Sequence, residues 1–135
     1  MKPDTLWVPE RIANALAKAG FGKQVASCLI RTKAVQKAAL SSPSERLTAA
    51  QHYESMSVQG ILSKPDEILL IDDIVTRGAT LLGAANRLAD AFPQSHIRAF
   101  AAMRTISNQH EFENVYAPCI GTIDLYETGD TFRRP

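Results

Sequence analysis

The sequence has few cysteines and almost no excess of charge of either sign. Its two cysteines, Cys28 and Cys119, form no CxxC pair, so a structural zinc site is not expected. Two isolated thiols are typical of small core residues in a reducing compartment. A disulfide between the two cysteines is the alternative interpretation. The formal net charge of +1 argues against a protein that binds nucleic acid through bulk electrostatics.

Long apolar runs are also missing. No stretch approaches the roughly 20 apolar residues that a membrane-spanning helix needs. The N-terminal segment carries Asp4, Glu10 and Arg11 and has no apolar run of signal-peptide length. We therefore expect a soluble, cytoplasmic protein without membrane contact. The chain is 45% hydrophobic over 135 residues, which predicts one packed domain over residues 1–135.

The pattern of apolar residues predicts an α/β fold. The aliphatic run Ile68–Ile71 predicts a central strand that is covered on both faces. A helix is predicted over about Thr80–Ala91, and the next strand over His96–Met103. Because strand, helix and strand in this order form a βαβ unit, we expect the two strands to be parallel.

Shorter elements are predicted on either side of this unit. They are a helix over about Pro9–Ala19 that Gly20 stops, a buried strand over Val25–Ile30, a helix capped by Ser42 that runs to about Gln51, an edge strand over Tyr53–Val58, and a strand over Cys119–Tyr126. Residues from about 105 to 135 form a C-terminal extension. Its end, Thr131–Pro135, is interpreted as a solvated terminus.

Two acids mark the most informative segment, Leu69–Thr80. Asp72 and Asp73 are predicted at the carboxyl end of a buried strand, and a short loop and a helix follow them. In an open parallel sheet, ligands bind outside the carboxyl ends of the strands. The two carboxylates can accept hydrogen bonds there from the two hydroxyl groups of a diol. They can also hold a metal ion that is bound to the same diol. They are candidate binding residues.

The loop after these acids has the composition of a phosphate site. A helix N-terminus presents free N–H groups and a positive dipole end. Gly78 lets the backbone approach a phosphate closely. The hydroxyls of Thr76 and Thr80, the guanidinium of Arg77 and the backbone of Ala79 complete the predicted binding loop.

Residues 69–80 resemble the fingerprint by which type I phosphoribosyltransferases bind phosphoribosyl pyrophosphate (PRPP): aliphatic residues, two acids, an aliphatic pair, then Thr-x-Gly-x-Thr. The resemblance implies a Rossmann-like parallel core in three α/β/α layers. It implies that the loop wraps the 5′-phosphate of PRPP or of a nucleoside monophosphate, and that Asp72 and Asp73 contact the ribose hydroxyls. The resemblance also makes Asp72 and Asp73 the candidate catalytic residues, because an acid of this motif lies close to the reacting groups in many members of the family. Mg²⁺ would accompany PRPP or pyrophosphate. Arg77 departs from the family, in which many members have Thr.

A second stretch is similar to ComF-type phosphoribosyltransferase-like proteins, which are associated with DNA-uptake competence. Its residues are Leu29-Ile30-Arg31, Gln36, Leu40-Ser41 and Glu45-Arg46. This resemblance implies cations that contact the pyrophosphate, with Arg31 and Arg46 as the first candidates and Lys33 and Lys37 after them. The alternative is that these residues are ordinary surface charges.

The resemblance also implies that the chain lacks the family's first strand and its pyrophosphate loop, because only Met1–Val8 precedes the first predicted helix. A sheet without that strand has an unpaired edge, so we expect a homodimer or a partner chain that covers it. Two functions stay open. One is a pentosyltransferase that moves a 5-phosphoribosyl group from PRPP to an unidentified acceptor and releases pyrophosphate. The other is a non-catalytic PRPP-sensing or competence-related accessory protein.

Other interpretations of these residues are weaker. Receiver domains also place paired acids after a strand, but they need a lysine on a later strand, and no lysine follows Asp73. A purely structural role would bury two adjacent acids at a cost. His52, His96 and His110 have no metal-ligand spacing and are interpreted as ordinary surface or half-buried residues.

Overall fold

The computed structural model describes residues 7–33, 46–60, 63–106 and 117–134. The fold is α/β, as predicted. In chain order the elements are α1 (Val8–Lys18), β1 (Leu29–Arg31), α2 (Ala49–Glu54), β2 (Met56–Val58), β3 (Glu67–Val75), α3 (Ala79–Ala91), β4 (His96–Arg104), β5 (Thr122–Leu125) and β6 (Thr131–Arg134). No helix in the described ranges has both the length and the apolar character needed to cross a membrane.

The predicted βαβ unit is present. Strands β3 and β4 pair in parallel, from Glu67 opposite His96 to Val75 opposite Arg104, and α3 connects them. Strand β3 extends beyond the aliphatic run, because its pairing with β4 continues through Asp72 opposite Ala101. The two acids therefore lie inside β3 and not beyond its end, which corrects the predicted position.

The prediction of a central strand is wrong for the described part of the chain. Strand β3 pairs there with β4 alone, and each of the three sheets has two strands. Leu69 and Ile74 on β3 remain 42% and 43% exposed because no described element covers them fully. The three-layer Rossmann-like core stays a prediction, as does a homodimer or partner chain at the edge of β3.

Of the two N-terminal elements, α1 agrees with its prediction and β1 does not. Helix α1 and its end before Gly20, which has φ 88°, agree with the sequence pattern. Strand β1 is shorter than the predicted Val25–Ile30; among the described residues it pairs with the short strand β2 alone, and Ile30 is 41% exposed. The prediction of a buried strand is therefore wrong.

Helix α2 begins later than predicted. Thr48 caps it: the Thr48 hydroxyl accepts from the Gln51 amide, and the Gln51 side chain accepts from the Thr48 amide at 2.9 Å. Residues 46–48 are not helical, and Ser42 lies outside the described residues. This capping box accounts for the start at Ala49. The strand predicted from Tyr53 is reduced to β2, because α2 continues through Glu54.

The buried core lies where α2 meets α3. Its apolar members are Ala49, Met56, Leu81, Ala84 and Leu88. Gly83 permits this contact, since a Cβ at that position would lie 2.5 Å from the Ala49 carbonyl oxygen and 2.7 Å from the His52 Cβ. The close approach brings the side chains of α2 to the beginning of α3.

Residues 122–134 of the C-terminal extension form a hairpin in which β5 and β6 pair in antiparallel fashion. The strand predicted over Cys119–Tyr126 is present in shortened form as β5. The predicted terminus is ordered as β6, in which Thr131 is buried, whereas Phe132 and Arg134 are exposed to solvent.

Candidate functional site

A cavity of about 390 Å³ lies at the carboxyl ends of β3 and β4, beside the start of α3. This volume is within the range of small-molecule sites. The cavity brings together most of the residues singled out in the sequence. Its lining comprises Arg46, Leu47, His52, Asp72, Ile74, Val75, Thr76, Arg77, Gly78, Ala79, Thr80, Leu81 and Thr105.

Gly78 gives the loop its shape. It is the N-cap of α3 and has a left-handed backbone with φ 91°, a region that favours glycine. The Leu82 amide donates to the Gly78 carbonyl at 2.9 Å, while the first helical amides, those of Ala79, Thr80 and Leu81, have no partner inside the helix. These amides and the positive end of the helix dipole suit an anion.

The structure gives Gly78 a second role that the sequence did not indicate. A Cβ on Gly78 would lie 2.6 to 2.8 Å from the side-chain carbons of Ile123, which is on β5. The hairpin is therefore packed directly against the loop. Any larger residue at position 78 would meet both an unfavourable φ and a steric clash.

The two acids have different positions relative to the cavity. Asp72 is half-buried and lines it, whereas Asp73 is not one of the lining residues. The Asp73 amide donates to Asp72 Oδ1 at 2.9 Å, and the Ile74 amide donates to Asp73 Oδ1 at 2.8 Å. Burial raises the pKa of Asp72 to about 6, and the Asp73 side chain adds to this rise, whereas the hydrogen bond from the Asp73 amide and the Arg31 charge lower the pKa. Asp72 is therefore mostly ionised at neutral pH.

Arg31 does not line the cavity but belongs to a part-buried chain of polar side chains next to it. Its Nη1 donates to Ser55 Oγ at 2.9 Å, and its Nη2 lies 3.3 Å from His52 Nδ1. His52 is only 5% exposed, and its Nε2 lies 3.3 Å from Thr80 Oγ1. Burial and the nearby Arg31 charge lower the pKa of His52, which favours the neutral ring.

His52 is a site residue that the sequence did not reveal. The sequence predicts an ordinary surface or half-buried histidine at this position, because His52 has no neighbours at metal-ligand spacing. Its partners come from β1 and α3, and Thr80 is 28 residues away along the chain. No pattern within α2 itself marks such a contact.

The remaining predicted cations have distinct environments. Arg46 lines the cavity. Arg77 also lines it, and its Nη1 lies 3.4 Å from Asp130 Oδ1 in an exposed pair that contributes little stability. Lys33 is not among the lining residues, and Lys37 lies outside the described residues.

Arg133 links the hairpin to the backbone at the carboxyl ends of β3 and β4. Its Nε donates to the Thr76 carbonyl at 3.1 Å, and its Nη2 donates to the Thr105 carbonyl at 2.8 Å. The Thr105 amide in turn donates to the Val75 carbonyl at 3.0 Å. These contacts hold the ends of β3 and β4 in a fixed relation to the loop.

The cavity residues have a donor set that bears on the Mg²⁺ implied by the resemblance. The described residues contain no group of three or more His, Cys, Asp or Glu side chains that could hold a metal ion. Mg²⁺ bound together with a phosphorylated substrate needs only one or two carboxylates, because phosphate oxygens and water complete its shell. Asp72, beside the loop, can supply one such carboxylate. The residues therefore fit a metal ion that binds with its substrate.

Comparison with known protein families, with curated proteins and with solved structures finds nothing that matches this chain.

Proposed function

We propose that the protein binds PRPP in this cavity and transfers its 5-phosphoribosyl group to an acceptor, with release of pyrophosphate. The observation that carries the proposal is the position of the Asp72 carboxylate in one cavity with the loop Thr76–Thr80. An anion site and a hydrogen-bond acceptor side by side match the two ends of a ribose 5-phosphate unit.

The loop would bind the 5′-phosphate. Free amides at the start of α3, the helix dipole and the hydroxyls of Thr76 and Thr80 all provide donors. Arg77 adds a positive charge at the same wall. Hydrogen bonds to a charged group contribute about 1.5–3 kcal/mol each, so a few of them suffice for specific binding.

Asp72 would bind the ribose hydroxyls. An ionised carboxylate is a pure acceptor with two oxygens, which suits two neighbouring hydroxyl groups. Because the pKa of Asp72 is about 6, its acceptor form predominates at pH 7.5 and is lost as the pH falls below 6. Asp73 is assigned to the same diol by the resemblance alone, since it does not line the cavity.

The transfer step breaks the bond between C1 of the ribose and the pyrophosphate oxygen, and that oxygen keeps the electron pair. The acceptor donates a lone pair to C1 and then loses its proton to solvent. Positive charge develops at C1 in between, and the Asp72 carboxylate would favour that charge. Arg46 would contact the departing pyrophosphate. Mg²⁺, when bound, supplies further positive charge to this leaving group.

Binding of PRPP without efficient transfer is the second candidate function. One observation favours it: of the cations assigned to the pyrophosphate that lie within the described residues, only Arg46 lines the cavity. Arg31 is held by Ser55 and His52. Measurement of pyrophosphate release with candidate acceptors distinguishes the two functions, because a sensor would bind PRPP and release none.

Calorimetric titration of PRPP with Mg²⁺ tests the proposal. We expect the wild type to bind PRPP, and Arg77→Gln to weaken binding about tenfold, since one charged hydrogen bond is lost. Arg98→Gln is the matched control, because Arg98 also forms an exposed pair, with Glu67 at 3.3 Å, but lies outside the cavity. No affinity at millimolar PRPP, or equal effects of the two substitutions, would contradict the proposal.

A further inference from the structure

The chain Arg31–His52–Thr80 contains a hydrogen-bond direction that follows from side-chain chemistry. Arginine has donors and no acceptor. His52 Nδ1, 3.3 Å from Arg31 Nη2, must therefore accept. A neutral imidazole has one N–H, which then lies on Nε2. That group faces Thr80 Oγ1 at 3.3 Å and donates to it.

The Thr80 hydroxyl is thereby given a direction. Its oxygen accepts from His52, so its hydrogen is free to point elsewhere. Thr80 lines the cavity, at the first turn of α3. A phosphate dianion offers only acceptors, so it requires a hydroxyl whose hydrogen is available to donate.

We propose that His52 is a positioning residue of the phosphate site: it accepts a hydrogen bond from Arg31, donates one to Thr80, and so turns the Thr80 hydroxyl hydrogen toward the ligand. This inference rests on the proposed function, since it assumes that the loop binds a phosphate. It assigns a purpose to a buried histidine whose two ring nitrogens both face polar side chains.

The surroundings of His52 hold the ring in place. The Ser55 hydroxyl donates to the His52 carbonyl at 2.8 Å and accepts from Arg31, which closes a small polar ring. The close approach at Gly83 fixes α2 against α3, since a methyl group added to that glycine would lie 2.7 Å from the His52 Cβ. A ring that is held on both sides needs little rearrangement when a ligand arrives.

The neutral state of the ring is consistent with its environment. Burial and the Arg31 charge both lower the pKa of His52. Asp72 on β3 and Arg46 before α2 are the other charged groups that line the same cavity near it, together with Arg77 on the loop. The proposal requires only the neutral ring, which we expect at pH 7.5.

Nuclear magnetic resonance of ¹⁵N-labelled histidine tests the hydrogen-bond direction without any ligand. At pH 7.5 we expect a neutral His52 ring with its proton on Nε2, and the signal is assigned by its loss in His52→Gln. A proton on Nδ1, or a charged ring, would overturn the proposal.

A double-mutant cycle on ribose 5-phosphate affinity tests the positioning role. We expect His52→Leu and Thr80→Val each to weaken binding about tenfold. The double variant should bind no more weakly than Thr80→Val alone, because His52 acts through the Thr80 hydroxyl. A purely structural role would give losses that multiply, and this result would overturn the proposal. His96→Leu, at an exposed histidine on β4, is the control.

A second pair of variants keeps the test valid if His52→Leu fails to fold. The amide of Gln reaches the position of the ring Nε2 and can donate to Thr80, whereas the shorter Asn stays near Arg31. We expect His52→Gln to bind within about threefold of the wild type and His52→Asn to lose about tenfold. Equal affinities for this pair would overturn the proposal. If the wild type binds neither ribose 5-phosphate nor PRPP, the proposed function itself fails.

Discussion

The loop Thr76–Thr80 is held from two sides that use different chemistry. On one side, which we term the α2 side, lie Arg31, His52 and Asp72, whose polar groups face the cavity or a residue that lines it. On the other, the hairpin side, lie Ile123 and Arg133, which contact Gly78 and the backbone carbonyl of Thr76. The α2 side places polar groups in or next to the cavity, and the hairpin side contacts the backbone of the loop.

This difference predicts how the two sides respond to substitution. Changes on the hairpin side should lower the free energy of unfolding and ligand affinity together, because they move the loop. Changes on the α2 side should alter affinity more than stability, since they remove ligand-directed groups while leaving the loop backbone in place.

The largest effect is expected at Gly78. Gly78→Ala adds a methyl group that clashes with Ile123 and occupies a backbone conformation with φ 91°. We expect it to lower the free energy of unfolding by about 2–4 kcal/mol and to abolish PRPP binding. Urea unfolding and calorimetry measure the two quantities.

Gly60 provides the matched control for this substitution. It also has a positive φ, 74°, but a Cβ there would meet none of the described atoms within 4 Å. Gly60→Ala should therefore show only the backbone cost, about 1–2 kcal/mol. If both alanines cost the same, the hairpin does not press on the loop, and the distinction between the two sides fails.

A smaller effect is expected at Arg133. Arg133→Gln shortens the side chain that donates to the Thr76 and Thr105 carbonyls. We expect a loss of about 1–2 kcal/mol in the free energy of unfolding, from two hydrogen bonds. Arg134→Gln is the control, because Arg134 forms an exposed ion pair with Asp124 at 2.7 Å, worth under about 1 kcal/mol. Equal losses in the two variants would show that Arg133 is only a surface charge.

The smallest effect on stability is expected on the α2 side. There the substitution should raise the free energy of unfolding, whereas the substitutions at Gly78 and Arg133 lower it. The pKa of Asp72 is about 6 in the folded protein, above its usual value of about 4. Ionisation therefore costs the folded state a free energy that is fully present above pH 6 and disappears as the pH falls through 6 toward 4. Asp72→Asn should raise the free energy of unfolding at pH 7.5 by about 1 kcal/mol, after allowance for partial exposure.

Urea unfolding of the wild type and Asp72→Asn at pH 7.5 and pH 4 checks this prediction. The two proteins should become nearly equal in stability at the lower pH. The titration of His52 affects both proteins alike, so it cancels in the difference. A variant that is less stable than the wild type at pH 7.5 would show that the Asp73 amide hydrogen bond and the Arg31 charge together outweigh the burial of Asp72.

The parts of this site that were predictable from sequence are those encoded locally. The aliphatic run before Asp72 and the helix after Gly78 predict a parallel βαβ unit with a candidate anion loop between its first strand and its helix. The strand, the helix and the parallel pairing are present in the structure. The length of β3 was not predictable, because pairing with β4 carries the strand past its aliphatic run to include both acids.

The α2 side and the hairpin side of the loop were not predictable, because they depend on contacts between residues far apart in the sequence. Arg133 reaches Thr76 across 57 residues of sequence, and a terminal arginine pair alone suggests a solvated tail. The approach of His52 to Thr80 depends on Gly83, whose missing side chain lets α2 come close to α3. A glycine inside a helix indicates that another element packs closely there, but the sequence does not show which element this is.

The central claim is that Asp72 and the loop bind the two ends of one ribose 5-phosphate unit. The most direct test compares the affinities of the wild type and Asp72→Asn for PRPP with Mg²⁺ and for inorganic phosphate at pH 7.5, with the exposed Asp66→Asn as control. We predict that Asp72→Asn weakens PRPP binding at least about tenfold and changes phosphate binding by less than about twofold, since only the diol contact is lost. Equal effects of Asp72→Asn on the two ligands, or no effect on PRPP, would contradict the account.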